Sequence, residues 1–127
     1  MILTFSRDSF VESIKSGVKK HTIREDKYNR WKKGRKIQFW RGNPRNIKAN
    51  PYQFGEGICS NVASIAIFPD KNKIQISYDN NDLLILKKEQ SLNDLAVNDG
   101  FESWGEMKKW FNKNFIGKII FWTKFKS

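Results

Sequence analysis

The sequence predicts an α+β fold: a strongly bent sheet or small β-barrel of about five to seven short strands, flanked by about three short helices. Three observations lead there. At 127 residues the chain has the size of one domain, 1–127, with one core. Apolar residues alternate or cluster in runs of at most about four, as at Leu83–Leu86 and Ile119–Trp122, which suits short strands. Between those runs lie brief stretches of helical periodicity with their own start and stop signals.

Met1–Phe5 reads as a short buried strand. Ser9-x-x-Glu12 then fits a capping box, and Phe10, Val11, Ile14 and Val18 fall at helical spacing before the stop at Gly17. His21–Arg24 reads as extended, Trp31–Gly34 as a turn, and Lys36–Trp40 as an imperfectly alternating strand. The segment 42–57, rich in Gly, Pro and Asn, reads as a long loop of the kind that often carries function. Strand, Pro-Asp turn and strand follow from Gly57 to Tyr78, then a turn at Asp79–Asp82 and a further strand at Leu83–Leu86. A helix beginning at Ser91 turns Leu92, Leu95 and Ala96 inward and ends near Gly100. Ser103-x-x-Glu106 is a second capping box, opening a helix whose apolar stripe of Trp104, Met107, Trp110 and Phe111 reads as core. Lys118–Phe125 alternates as the last strand.

Composition narrows the function classes. No apolar run approaches the roughly 20 residues of a membrane-spanning helix, and the first ten residues lack the pattern of a signal peptide, so no membrane partner is expected. The single cysteine, Cys59, excludes an intrachain disulfide and fits a reducing cytoplasm. One His and one Cys do not make a metal site, and no phosphate-cradling glycine loop occurs, so neither metal nor cofactor is expected. The net charge is +11, and it is lopsided. Residues 1–50 carry 14 Lys/Arg against 4 Asp/Glu; residues 51–127 carry 10 against 9. Such a field favours a polyanion, nucleic acid first of all. Tyr28, Trp31, Phe39 and Trp40 lie among Lys27, Arg30, Lys32, Lys33, Arg35, Lys36 and Arg41, an interleaving of rings and cations that suits single-stranded nucleic acid. Phe39 reads as core; Tyr28, Arg30 and Trp31 read as contacts, with Arg41, Arg45 and Lys48 on phosphates.

At Gly17-Val18-Lys19-Lys20-His21-Thr22-Ile23-Arg24 the sequence resembles the ASCH domain family. Trp31–Ile37, Ala96–Phe101 with Trp104–Met107 and Trp110-Phe111, and Phe115-x-Gly117-x-Ile119-Ile120 continue the likeness over nearly the whole chain. The resemblance implies a PUA-like β-barrel and an RNA-related role in a cytoplasmic bacterial or phage protein. It places RNA or a modified nucleoside in a basic cleft, with DNA an open alternative. One branch of the family hydrolyses the acyl group of N4-acylated cytidine; others are ribonucleases. By resemblance to that branch, the catalytic set falls on Lys19, Thr22 and Asp99, with Arg24 and Lys20 as ligand contacts. The branch has Glu where this chain has Asp99, one methylene shorter; a reach reduced by about 1 Å can cost ~10²-fold in rate. Its minimal members lack the 42–57 loop, which could cap the site or change the substrate.

The residues fit such chemistry. A Thr hydroxyl needs a base, and a Lys serves once burial or neighbouring cations lower its pKa. Alternatively, Asp99 activates water while Lys19 and Arg24 stabilise an oxyanion. Three classes follow: an RNA- or nucleoside-binding module, an amidohydrolase or ribonuclease, and a module that captures an acidic protein. His21, on an alternating strand, is expected to face away from Thr22.

Overall fold

A computed structural model describes residues 1–79 and 81–127. In chain order the elements are β1 (Ile2–Phe5), α1 (Asp8–Lys15), β2 (His21–Arg24), β3 (Lys36–Arg41), β4 (Tyr52–Phe68), β5 (Lys73–Ser77), β6 (Leu83–Leu86), α2 (Glu89–Asn98), α3 (Trp104–Trp110) and β7 (Phe115–Lys126). Single 3-10 turns sit at Ile47–Ala49 and Pro69–Lys71. The architecture is α+β, and all seven strands join one mixed sheet.

β4 is its spine. It is 17 residues long and pairs along one edge with β7, from Glu56↔Lys126 to Ile67↔Phe115. Its other edge takes β3 first and β5 afterwards. β1 adds parallel to β3, β2 antiparallel to β7, and β6 antiparallel to β5. Register shifts at Phe39/Trp40, Glu56/Ile58 and Cys59/Asn61 bend the long strand. Among the described residues no ladder joins the outer strands β1 and β2. A side chain does: Arg24 Nη2 donates to the Thr4 carbonyl at 2.6 Å.

The core runs along the sheet through Leu3, Phe5, Ile37, Phe39, Ile65, Ile67, Ile74 and Ile119, and is covered by Phe10, Val11 and Ile14 of α1 and by Leu92, Ala96 and Met107 of the later helices. Phe39 stands at its centre, with ring centroids 5.0 Å from Trp122 and 5.2 Å from Phe125.

Several sequence expectations change here. The segment 42–57 is not all loop: it becomes strand at Tyr52, and Gly55 and Gly57 lie inside β4. Their glycine character reflects packing. A Cβ on Gly55 would lie 2.4 Å from the Phe125 ring, and one on Gly57 would lie 3.2 Å from the Phe39 ring. The first capping box does not form. α1 begins at Asp8, which puts Ser9 inside the helix, and its N-cap, Arg7, makes no side-chain cap. Val18 lies beyond the helix and is exposed. The second capping box forms in part, as Ser103 Oγ accepts from the Glu106 N–H at 3.1 Å. α2 starts at Glu89, two residues before the expected Ser91. The predicted turn at Asp79–Asp82 includes Asn80, which lies outside the described residues. Among the described residues, no helix is long and apolar enough to cross a membrane.

Candidate functional site

Among the described residues, four polar residues are buried: Lys19, His21, Thr22 and Asp99. The fold gathers them from two distant parts of the chain. Gly17, at φ +84°, ends α1, and the Lys19 N–H returns to the Ser13 carbonyl at 2.9 Å. The Lys20 N–H donates to the Asn98 carbonyl at 2.7 Å, which fixes this turn against the end of α2. β2 then carries Thr22 and Arg24 on one face. Asp99 caps the C-terminus of α2, with its N–H on the Leu95 carbonyl at 3.0 Å.

Lys19, Thr22, Arg24 and Asp99 line one cleft of about 390 Å³. Its walls are Phe5, Phe10, Trp110, Phe111 and Phe115, with Glu25 also on the lining. Lys19 Nζ donates to the Asp99 carbonyl and lies 3.6 Å from the Asp99 carboxylate. Carbonyls at a helix C-terminus suit a cation. Aromatic rings line the rest of the Lys19 path, with Nζ 4.8 Å from the Phe10 centroid and 5.7 Å from that of Phe5. Burial lowers the Lys19 pKa to about 8; Asp99 opposes that shift and Arg24 adds to it. Arg24 also sits below its ordinary value because of burial. Its Nε donates to Thr22 Oγ1 at 3.3 Å, so one guanidinium holds both the hydroxyl and the Thr4 carbonyl of β1.

Gly100 makes room for this arrangement. Its φ is +95°, and an added Cβ would lie 2.8 Å from Lys19 Cδ and 3.0 Å from the Phe10 ring. Gly100→Ala is therefore expected to cost about 1–3 kcal/mol and to displace Lys19. A urea midpoint unchanged from wild type would contradict this.

The other expected contacts lie elsewhere. Lys20 is exposed and does not line the cleft. Tyr28 is exposed, with the Arg30 guanidinium 5.5 Å from its ring centroid. Trp31 is half-buried on a separate groove with Lys32, Lys33, Asn61 and Lys118. Arg41 pairs with Asp8 at 2.8 Å. Arg45 is exposed on the 42–51 loop, no residue of which lines the cleft. Cys59 is buried, and burial pushes its thiol pKa up, the opposite of activation. Among the described residues, no group of three or more His, Cys, Asp or Glu is placed to hold a metal ion.

Two features escaped the sequence reading. Trp110 and Phe111 wall the cleft rather than simply filling the core, and Trp110 is 46% exposed. Helical phase carried that signal: six residues past Trp104, Trp110 is rotated well off the stripe of Trp104 and Met107. His21 does face away from the cleft lining, yet its Nδ1 meets Asp99 Oδ1 at 2.8 Å. No protein-family model, curated protein or solved structure matches this chain. Its function therefore rests on the chemistry of the cleft.

Proposed function

We propose that the cleft binds a modified nucleoside, an N4-acylated cytidine, and hydrolyses its acyl amide. One observation carries this reading: a buried amine with a pKa lowered to about 8 shares an aromatic-walled cleft with a threonine hydroxyl. At pH 7 such an amine is about 10% neutral, against about 0.03% for an ordinary lysine. It is a competent base at neutral pH.

The residues divide the work as follows. Arg24 Nε donates to Thr22 Oγ1, so the hydroxyl proton points elsewhere and passes to neutral Lys19 as Oγ1 attacks the acyl carbon. The guanidinium stabilises the oxygen that gains charge. The carbon–nitrogen bond breaks, and Lys19 returns the proton to the departing exocyclic amine. Water, deprotonated by Lys19, then attacks the threonyl ester; the carbon–oxygen bond to Thr22 breaks, and Lys19 returns that proton to Thr22 Oγ1. The products are a carboxylic acid and the free nucleoside. Phe10, Trp110, Phe111 and Phe115 offer faces for a pyrimidine, and the cleft volume of about 390 Å³ is in the range of small-ligand pockets.

Purified protein is expected to release cytidine and acetate from N4-acetylcytidine, read by chromatography, and Thr22→Ala is expected to lower that rate at least ~10²-fold. No release by the wild type between pH 7 and 9, or undiminished release by Thr22→Ala, would refute the reading.

A second reading, RNA binding without turnover, is favoured by the loop 26–36. Asp26 accepts from the Arg30 and Trp31 N–H groups at 2.9 and 3.3 Å. The Gly34 N–H donates to the Cys59 carbonyl, and the Cys59 N–H to that of Arg35. A pinned loop thus presents Lys27, Arg30, Lys32, Lys33, Arg35 and Lys36 to solvent. This reading expects oligonucleotide affinity that falls steeply between 50 and 200 mM salt, with no product formed.

A further inference from the structure

We infer that His21 is a positioning residue for the cleft: it hydrogen-bonds Asp99 Oδ1, the carboxylate oxygen nearest Lys19, and keeps that carboxylate from closing on Lys19. The kinetic part of this inference rests on the hydrolase reading; the structural part does not.

The Asp99 carboxylate is buried, and a buried charge needs partners. Lys19 Nζ stands 3.6 Å away, longer than a hydrogen bond, because Nζ donates to the Asp99 backbone carbonyl instead. His21 Nδ1 stands at 2.8 Å from Oδ1. An ionised carboxylate only accepts, so Nδ1 carries the proton and donates. The imidazole is itself held. It is buried, and its ring meets that of Phe121, its cross-strand partner in β7, edge-on at 5.2 Å. Thr22, Ile23 and Arg24 of β2 line the cleft while His21 does not. It touches no ligand there and acts through Asp99.

The consequence falls on Lys19. A carboxylate free to turn would close on the ammonium and strengthen its hold on the proton. One engaged by His21 offers Lys19 less charge, at a longer distance. The groups that face Lys19 are Asp99 at the end of α2, Arg24 from β2, and the rings of Phe5 from β1 and Phe10 from α1; Glu25 lies on the same cleft lining. His21 meets Asp99 and the Phe121 ring.

Three variants test the inference. His21→Leu removes the donor. His21→Asn keeps an amide N–H near the Nδ1 position. His21→Gln is polar but places its N–H near Nε2. The readout is NMR titration of the Lys19 side chain in protein carrying ¹³C-labelled lysine, its signal assigned by its loss in Lys19→Met. His21→Leu and His21→Gln are expected to move the Lys19 titration to higher pH, with roughly tenfold less neutral amine at pH 7. His21→Asn is expected to stay near wild type. Should His21→Leu not fold, the contrast between His21→Gln and His21→Asn decides. If the hydrolase reading holds, the alkaline rise of kcat/KM shifts in parallel. A Lys19 titration unmoved in folded His21→Gln, or moved equally in His21→Asn, would overturn the inference. Absence of any hydrolysis would instead refute the function, and the titration would still judge His21.

Discussion

Lys19→Met is expected to lower hydrolysis of N4-acetylcytidine by about 10²–10⁴-fold while the domain stays folded. Both halves follow from the same surroundings. In the proposed mechanism Lys19 supplies the base, and among the described residues no other amine is buried in the cleft. Lys19 Nζ lies 4.8 Å from the Phe10 ring centroid and 5.7 Å from that of Phe5, an aromatic setting that suits an unbranched thioether. Asp99 keeps its bond from His21 in the variant, so no buried carboxylate is stranded. Measured kcat/KM within tenfold of wild type, with unchanged circular dichroism, would remove Lys19 from the mechanism.

The same substitution has a signature in stability. The Lys19 amine titrates near pH 8 in the folded protein and near the ordinary lysine value of 10.5 in the unfolded chain. Between those values the unfolded chain binds more protons, so stability rises with pH across that window. Below pH 8 both states are protonated, and the folded one carries the cost of a buried ammonium, roughly 3 kcal/mol for such a shift. Wild type should therefore gain about that much on Lys19→Met between pH 7.5 and 10.5, read as the difference of urea midpoints. A constant difference across the window would mean that the amine is not desolvated.

Local signals carried much of the fold. The capping geometry at Ser103 and the extended run His21–Arg24 were legible because each depends on neighbours in sequence. The failures are long-range. Gly55 and Gly57 look like loop residues until Phe125 and Phe39 are placed against them. Ser9 looks like a cap, but the helix starts two residues earlier than such a cap implies, at Asp8 after Arg7. The motif from Gly17 to Arg24 carried Lys19, Thr22 and Arg24 of the candidate site, and Asp99, marked by the second motif, joins them from 80 residues beyond Lys19. That His21 would stand beneath the carboxylate could not be read from alternation, which only turns it away from Thr22. Nor could the sequence show that the basic residues at 28–45 lie off the cleft, since charge clustering does not specify a face.

Arg24→Ala is expected to destabilise the domain by about 2–4 kcal/mol, a fall of roughly 10 °C in Tm, and to depress hydrolysis at the same time. The two effects share one cause. Among the described residues β1 and β2 lack a backbone ladder, and the guanidinium spans them, with Nη2 on the Thr4 carbonyl and Nε on Thr22 Oγ1. It also lies 5.0 Å from the Phe5 ring centroid. Truncation leaves the Thr4 carbonyl and the Thr22 hydroxyl without this donor, and so removes the orientation that the proposed proton transfer to Lys19 requires. It also removes a cation that lowers the Lys19 pKa, so the residual activity should rise with pH later than in wild type. Arg24→Lys separates charge from geometry. An ammonium restores the cation but cannot make two bonds fixed in one plane, so it should recover the pH dependence and less than half of the lost stability. Full recovery by lysine would mean that charge alone ties the two strands together; no loss in alanine would mean that β1 and β2 keep their places without this contact.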